Sequence, residues 1–469
     1  MVVFISLALL LLGVFVFKKV WLGCSLGILF LGLCQFLGWL DLNFFNIFFN
    51  TVIVFVELGL LIFGSIHFYK TLENLGHFEG FSEKLKGKYE PLMIVIMLCW
   101  FMCSFFEGVA GFGVPTLLIA PLLIALNFKP ITAVVVTLCA NTLSVTYGAL
   151  GTPTKLGLGI SDLQSPVLES VVYLLIFPIL FMPFALTLIF DIIENKSIKA
   201  VLDQWKFLTL SGLVFLFFFI ISSKLTLEFS SAAAGGLGFI TLIMLTNGSK
   251  SRWSQLKKWL NFFYPYLFLV FLLVLIKPFL QAFSFDFGDS LKKFRFYQPG
   301  LILLLSALLW SLFKKQSTGK MNDFELFVIT SKMVSKTFLN VFFLVFFAIM
   351  IQGSVIELFY ESFSSTYRLL PLASLIGVLG SFVTGSLTMS NLIFVEAFKK
   401  IIINQNQQDL SIALLHIGGA LGNAISLQNI LLANSVLEKK QNIGKVVLIN
   451  AGFVLIFLVI LMIQQFLWA

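Results

Sequence analysis

The sequence predicts an all-α polytopic membrane protein with about twelve transmembrane helices, in which two regions form inverted repeats that contain broken or re-entrant helices. Three observations support this fold class. Of the 469 residues, 59% are hydrophobic and 11% are charged, whereas soluble proteins carry about 25% charged residues. Ten apolar runs approach the length of about 20 residues that a bilayer-spanning helix needs. Two further regions mix short apolar pieces with Gly, Pro, Asn and Ser.

The ten apolar runs predict a scaffold of membrane spans around the two irregular regions. We divide the chain into N-terminal spans (1–90), the core of a first repeat (91–155), middle spans (156–358), the core of a second repeat (359–437) and a C-terminal span (438–469). The predicted spans are residues 2–17, 20–40, 44–68, 167–190, 207–222, 231–246, 263–279, 299–313, 337–358 and 446–467.

Loop charge predicts the orientation of these spans, because Lys and Arg concentrate in cytoplasmic loops. Lysine-rich loops alternate with less basic ones. The loop 281–298 is an exception, because the alternation places it on the extracellular side although it carries three basic residues. On this basis the first irregular region (residues 92–150) runs from the cytoplasm outward, and the second irregular region (residues 369–435) runs inward. Opposed directions are what an inverted repeat requires. The lysine-rich loops are residues 18–19, 70–88, 196–206, 250–258, 314–336 and 439–445.

A weak internal match supports the repeat. Gly385 follows Gly111 by 274 residues (385 − 111), and Gly422 follows Gly148 by the same 274 residues (422 − 148). At this offset the hydroxyl residue Ser426 corresponds to a threonine of the first region. The match and the opposed directions together predict two copies of one structural unit.

Both irregular regions break a helix where lipid could not satisfy the exposed backbone. The first contains Glu107-Gly-Val-Ala-Gly-Phe-Gly-Val-Pro115 directly after an apolar run. Each glycine inside a helix costs roughly 1 kcal/mol and a proline about 3 kcal/mol, so protein or a wet cavity must surround the break. Free N–H groups at a helix N-terminus attract anions, and free carbonyls bind cations. The breaks therefore predict a site for a small organic anion.

Small and polar residues at the breaks are the candidate substrate-binding residues. Hydroxyl and amide side chains supply hydrogen bonds without placing a full charge in the bilayer. The alternative is that the small residues only let helices pack closely. The candidates are Gly111, Gly113, Asn141, Thr142, Thr152, Gly385, Ser386, Ser390, Asn391, Asn423, Ser426 and Gln428.

Ionisable residues inside predicted spans are the candidates for proton coupling. Glu107 stands at the first break, where desolvation favours the neutral carboxyl group, so it could exchange a proton. His416 directly precedes the second polar break, and histidine titrates near neutral pH. Their alternatives are a carboxyl group that only fixes the loop and a packed, hydrogen-bonded histidine. For Glu57 we expect a contact within the helix bundle, and for Lys155 we expect snorkelling to the interface.

Other classes of protein and site find no support in the sequence. No catalytic motif or constellation is visible, so we expect a protein that is not an enzyme and that needs no cofactor or metal. The five cysteines lie in apolar runs and match no zinc or redox spacing. The net charge of +9 sits in short loops, where membrane topology explains it better than binding to nucleic acid does.

At its four breaks the chain resembles the bacterial L-lactate permease family. The resemblance lies in Glu107–Pro115, in Asn141-Thr142 with Gly148–Pro153, in Gly380–Ser386 with Ser390-Asn391, and in Gly422–Ser426 with Gln428–Ile430. It covers roughly residues 50 to 465. The resemblance implies secondary uptake of L-lactate, D-lactate or glycolate with protons across a bacterial inner membrane, by a multi-pass protein whose partners are the substrate anion, the proton and membrane lipid, with a homodimer as one compatible assembly.

The chain departs from the family pattern at two positions and in its shorter length. Leu387 stands where the family usually has an aspartate, and Leu427 replaces the proline between Ser426 and Gln428. If that aspartate handled the coupling ion, this protein would couple differently. A sodium-coupled or other anion carrier of the same fold, and a membrane sensor that binds without transporting, are therefore the alternatives.

Overall fold

A computed structural model describes residues 1–17, 19–77, 89–111, 113–246, 249–280, 282–285, 293–314, 321–362, 372–402, 404–435, 437 and 440–468. Within these residues the chain is almost entirely helical, and each of the ten predicted spans forms or overlaps a helix. Several parts of the predicted loops, and Phe112 in the first break, lie outside the described residues.

The chain forms two compact units, and the first consists of Met1–Phe81 and Gly248–Ile351. It holds five complete helices, most of a sixth that continues into the second unit, and a two-stranded antiparallel hairpin that the sequence did not predict. The helices are Val2–Phe15, Val20–Phe36, Phe44–Asn74, Ser249–Leu280, Pro299–Lys314 and Asp323–Ser362, and the strands are β1, Ser284–Phe285, and β2, Phe294–Arg295.

Polar contacts within the first unit lie between helices that are far apart in sequence. Gln298 Nε2 donates to Glu57 Oε1 at 3.0 Å, which confirms the predicted bundle contact of this carboxylate. His67 Nδ1 lies 3.2 Å from Thr330 Oγ1. These contacts satisfy polar groups that apolar surroundings would otherwise penalise.

The second unit consists of Ser82–Asn247 and Gln352–Ala469 and contains both irregular regions. Its elements are the helices Pro91–Val95, Cys103–Val109, Val114–Ala125, Pro130–Asn141, Gly148–Thr152, Pro166–Asn195, Lys199–Asp203, Trp205–Leu225, Ser230–Thr246, Ala373–Thr384, Leu387–Ile401, Gln405–Gly422, Leu427–Ser435 and Ile443–Trp468, the π-helices Ile96–Met102 and Pro153–Leu158, and the 3₁₀-helix Leu143–Tyr147.

Helix length in the described residues supports fewer full spans than the predicted number of about twelve. Eight helices are long and apolar enough to cross a membrane, or nine if Pro130–Asn141 and Leu143–Leu158, bent by 44°, form one broken span. Six shorter apolar helices have 10–17 residues. A 12-residue helix such as Val114–Ala125 rises only about 18 Å, against about 30 Å of hydrocarbon. This helix fits the prediction of a re-entrant piece better than that of a full crossing.

Burial separates the irregular regions from the helices around them. In the most apolar 18-residue segment of each long helix, the buried share differs sharply. It is 94% in Pro91–Val109 and in Gln405–Asn434, and 39–50% in the other long spans. A half-buried apolar helix presents its other face to lipid. The irregular regions are therefore surrounded by protein, as breaks in membrane helices must be.

The two irregular regions repeat one order of elements: helix, break, helix, returning helix, break, helix. The second region follows this order as Ala373–Thr384, Leu387–Ile401, Gln405–Gly422 and Leu427–Ser435. Leu427 begins its helix 274 residues after Pro153 begins the π-helix (427 − 153), which is the offset seen in the sequence. Gly111 and Gly385 both adopt left-handed backbone, with φ of 62° and 72°. The opposed directions of the two regions in a bilayer stay a prediction from loop charge.

Candidate functional site

Glu107 is the carboxylate of the first break, near the end of the helix Cys103–Val109. Its side chain is 4% exposed, and Oε2 accepts a hydrogen bond from Asn141 Nδ2 at 3.0 Å. A Cβ built on Gly148 would lie 2.6 Å from Glu107 Oε1. The first break and the second polar stretch of the same region, which are separate in the sequence, thus contact each other at the Glu107 carboxyl group.

A left-handed turn of three consecutive residues follows Gly148. Ala149, Leu150 and Gly151 have φ of 47°, 54° and 75°, and this conformation costs roughly 1–2 kcal/mol for each residue with a Cβ. The turn fits against glycine: a Cβ built on Gly111 would lie 2.5 Å from the Cβ of Ala149. The break of the first helix and the left-handed turn therefore pack directly on each other.

The two predicted threonines of the first region direct their hydroxyl groups to backbone. Thr142 Oγ1 donates to Cys139 O at 2.8 Å, and Thr152 Oγ1 donates to Ala149 O at 2.5 Å. Both side chains are buried. Their donors stabilise the local turns, so a ligand could use only the lone pairs of these oxygens.

The second break lies between the helices Ala373–Thr384 and Leu387–Ile401; we call the latter the Leu387 helix. Ser386 caps it, with Oγ accepting from Met389 N at 3.5 Å. Ser390 Oγ donates to Gly377 O at 3.3 Å. The hydroxyl groups of both predicted serines therefore hold the break in shape.

One short helix contacts the glycines of both breaks. In the helix Leu427–Ser435, here the Leu427 helix, a Cβ built on Gly385 would lie 2.8 Å from Gln428 Oε1. One turn further along the same helix, Leu432 fills the space beside Gly113, whose φ is 81°. Residues four apart lie on one face of a helix, so both breaks rest on the same face.

A closed set of hydrogen bonds joins the two irregular regions. Asn391 Nδ2 lies 3.2 Å from Pro153 O and 2.8 Å from His416 Nδ1. His416 Nε2 lies 3.1 Å from Thr146 O, to which Thr154 Oγ1 also donates at 3.1 Å. His416 and Asn391 are both 0% exposed. The predicted proton candidate His416 is thus a packed histidine with both ring nitrogens hydrogen-bonded.

Leu387 packs between the two regions, one turn before Asn391. It is 1% exposed and forms an apolar cluster with Val145 and Ala420. The position expected to be acidic in the resembling family is therefore a hydrocarbon contact between the second break and the 3₁₀-helix of the first region.

Unpartnered buried polar atoms concentrate at the breaks. Among the residues that the structure describes, twelve buried side-chain atoms lack a hydrogen-bond partner. Seven of them lie in the break segments, which are the breaks together with their flanking residues: 107–115, 139–153, 380–391 and 418–429. Five of the seven come from predicted site residues; Tyr147 and Ser381 were missed, although each adjoins a glycine motif that the sequence analysis marked. The seven are Asn141 Oδ1, Tyr147 OH, Ser381 Oγ, Asn391 Oδ1, Asn423 Oδ1, Ser426 Oγ and Gln428 Oε1.

Lys155 forms an ion pair with Glu228, a residue that the sequence analysis did not single out. The Glu228 side chain is 3% exposed and that of Lys155 is 23% exposed. The Glu228 backbone adjoins the left-handed turn, because a Cβ built on Gly151 would lie 3.5 Å from Glu228 N. The expectation that Lys155 only snorkels was therefore incomplete. An isolated Glu next to an apolar run was the signal that could have found its partner.

No group of three or more His, Cys, Asp or Glu side chains is arranged as metal ligands within the described ranges. The five cysteines are free and buried. The polar groups described above at the breaks are the Glu107 carboxyl group, the His416 imidazole, amides and hydroxyl groups.

The sequence was also compared with those of known proteins. The family model for L-lactate permease matches residues 3–293 and 273–469. A putative L-lactate permease of Haemophilus influenzae is 24% identical over 82% of this chain and 82% of its own length, and an L-lactate permease of Halalkalibacterium halodurans is 25% identical over 82% of this chain and 80% of its own.

A sequence match over a shorter stretch and a match to a solved structure were also found. The glycolate permease GlcA of Escherichia coli is 33% identical over 20% of this chain and 17% of its own length. The solved YdaH transporter of Alcanivorax borkumensis aligns with a TM-score of 0.41 and 14% identity, over 91% of this chain and 87% of its own. Because the family model spans nearly every residue, the chain belongs to the L-lactate permease family.

Proposed function

We propose that this protein is a secondary active transporter that imports L-lactate or a related small hydroxymonocarboxylate, such as D-lactate or glycolate, together with protons across a bacterial inner membrane. The observation that carries the proposal is the meeting of both breaks on one face of the Leu427 helix, amid unpartnered buried polar atoms. Membership of the L-lactate permease family supports the substrate class.

The carboxylate of the substrate would be held by neutral donors. The Leu387 helix and the Leu427 helix both begin at breaks, and the first N–H groups of a helix have no partner within it. The positive end of the helix dipole favours an anion at this place. Dipoles bind more weakly than a buried lysine would, which suits an anion that must also leave.

Glu107 is the proposed carrier of the proton. It is buried at the first break and bonded to one amide N–H, so protonation would remove a charge from a low-dielectric site. His416 is the second candidate, but Asn391 already donates to its Nδ1. To accept a proton there, the imidazole would have to displace that amide.

A sodium-coupled carrier is the second candidate function, and one observation favours it. Four of the unpartnered atoms at the breaks are amide oxygens, those of Asn141, Asn391, Asn423 and Gln428. Hard cations bind oxygen ligands, and the carbonyl oxygens of Asn and Gln side chains are among them. An alkali cation held by such oxygens would need no buried acid, which is consistent with Leu387 at its position.

One experiment separates these functions. The purified protein is reconstituted in liposomes, and uptake of labelled L-lactate is measured under an imposed inward proton gradient or a matched sodium gradient, with protein-free liposomes as the control for diffusion of lactic acid. We expect concentrative uptake with the proton gradient alone. Uptake that follows only sodium contradicts the first proposal and supports the second, and binding without flux would point to a sensor.

A further inference from the structure

The carbonyl beside Asn391 fixes the direction of its amide. Nδ2 lies 3.2 Å from Pro153 O. A carbonyl oxygen only accepts hydrogen bonds, so the nitrogen of the amide, and not its oxygen, must face Pro153. The tight fit beside this amide supports one orientation, since a Cβ on Gly157 would lie 3.0 Å from both Cβ and Nδ2 of Asn391.

His416 fixes the second N–H of the same amide. His416 Nε2 lies 3.1 Å from Thr146 O, which again can only accept, so Nε2 carries the ring proton. Nδ1 is then an acceptor, and it lies 2.8 Å from Asn391 Nδ2. Both donors of the Asn391 amide are therefore used within the protein.

The oxygen of this amide is left without a donor. Asn391 is 0% exposed, and its Oδ1 has no hydrogen-bond partner among the described residues. An unsatisfied buried acceptor costs about 1–3 kcal/mol. The protein therefore holds, at a definite orientation, an acceptor that a donor from outside the chain would satisfy.

This acceptor lies beside the expected position of the substrate carboxylate. Asn391 is one turn from Leu387, where its helix begins at the second break. Side chains in an α-helix lean towards the N-terminus, so the amide lies next to the first turn, where Ser386 caps Met389 N and the other early N–H groups have no partner within the helix. A single small ligand could contact both.

We propose that Asn391 Oδ1 accepts the hydroxyl hydrogen of the transported hydroxymonocarboxylate, and that His416 is the positioning residue that holds Oδ1 in place. The assignment rests on the proposed function and deepens it. With its carboxylate ionised, such a ligand has one hydrogen-bond donor, the hydroxyl group. The site therefore selects 2-hydroxy acids over propionate, which lacks the hydroxyl group, and over pyruvate, which has a keto oxygen instead.

Wild-type protein tests the assignment without any variant. In proteoliposomes, glycolate, propionate and pyruvate compete with labelled L-lactate. We expect propionate and pyruvate to need concentrations on the order of tenfold or more above that of glycolate, because a site built for a hydroxyl group rejects analogues that lack it. Equal competition by propionate overturns the assignment while lactate transport stands. Failure to transport lactate overturns the proposed function itself.

Asn391→Ala tests the residue, with Asn434→Ala as the matched control. Asn434 is also buried, but both ends of its amide are bonded to Gln441. We expect Asn391→Ala to weaken lactate binding about tenfold and propionate binding little, as loss of one hydrogen bond to the hydroxyl group predicts. The control should change both acids in parallel. A parallel loss in Asn391→Ala would assign it a structural role only.

Two substitutions of His416 test the positioning role. In His416→Asn the side-chain oxygen can replace Nδ1 as the acceptor for Asn391, whereas His416→Leu offers no acceptor. We expect the ratio of lactate to propionate affinity to be kept by His416→Asn and lost by His416→Leu. If His416→Leu keeps the ratio, His416 does not position Asn391.

Discussion

The first and second irregular regions share one order of elements but differ in charge and strain. The first contains Glu107 and a left-handed turn that includes Ala149 and Leu150, and the ion pair of Lys155 with Glu228 adjoins it. The break segments of the second consist mainly of glycines and of neutral serine and amide side chains, and the apolar side chain of Leu387 packs among them. The difference suggests a division of labour, in which the first region handles charge and the second recognises the ligand through neutral hydrogen bonds.

Breaking the ion pair of Lys155 with Glu228, which adjoins the first region, should have the largest effect on stability. Glu228→Gln leaves Lys155 without its carboxylate, and removal of one partner of a buried pair costs about 3–5 kcal/mol, reduced here because Lys155 is partly exposed. We expect a clearly lower Tm in detergent. The double variant Lys155→Met with Glu228→Gln should recover much of the loss, and a double variant no more stable than the single one would contradict this account.

Gly385→Ala should disrupt the second break. Its φ of 72° costs roughly 1–2 kcal/mol for alanine, and the new methyl group meets Gln428. We expect the initial rate of lactate uptake to fall about tenfold, the rate equivalent of 1.4 kcal/mol.

The matched control is Gly452→Ala in the helix Ile443–Trp468 of the same unit. A Cβ at Gly452 meets no atom within 4 Å, and alanine is the better helix former. Uptake by this variant should stay at the wild-type rate. Equal losses of uptake in both variants would mean that the left-handed backbone of Gly385 is not the cause of the loss.

Glu107→Gln should uncouple transport from the proton gradient. One pH unit is worth about 1.4 kcal/mol per proton and supports about a tenfold accumulation. We expect the variant to reach a concentration ratio near one while still exchanging labelled for unlabelled lactate, since glutamine can keep a hydrogen bond to Asn141. Accumulation equal to that of wild type would remove Glu107 from the proton pathway.

Breaking the ion pair between Glu396 and Lys399 in the second region should have the smallest effect on stability and uptake. Its side chains are 44% and 36% exposed, and exposed pairs contribute about 0–1 kcal/mol. Glu396→Gln should leave Tm and lactate uptake almost unchanged. An effect as large as that of Glu228→Gln would break the contrast between the two regions.

The sequence allowed the breaks to be located but not their partners. Gly111, Gly113 and Gly385 were predictable, because glycine adopts left-handed backbone without the steric cost that a side chain brings. The left-handed turn was not, since Ala149 and Leu150 favour a right-handed helix and tertiary packing overrides that preference. The pairing of Asn391 with His416 depends on how helices pack, which no local pattern records. The hydroxyl groups of Thr142 and Thr152 were assigned to a ligand, but their donors bond to the backbone.

The position of the Leu427 helix has a consequence for leakage. The symporter proposed above would use the gradient of one cargo to accumulate the other, so the two must not cross separately, because each solitary crossing would dissipate the gradient. Gly113 and Gly385 contact this helix one turn apart, so a movement of the helix that opened one break would also shift the support of the other. Half-loaded states would then be resisted mechanically as well as by charge, and slippage would be rare even with the breaks made of neutral groups.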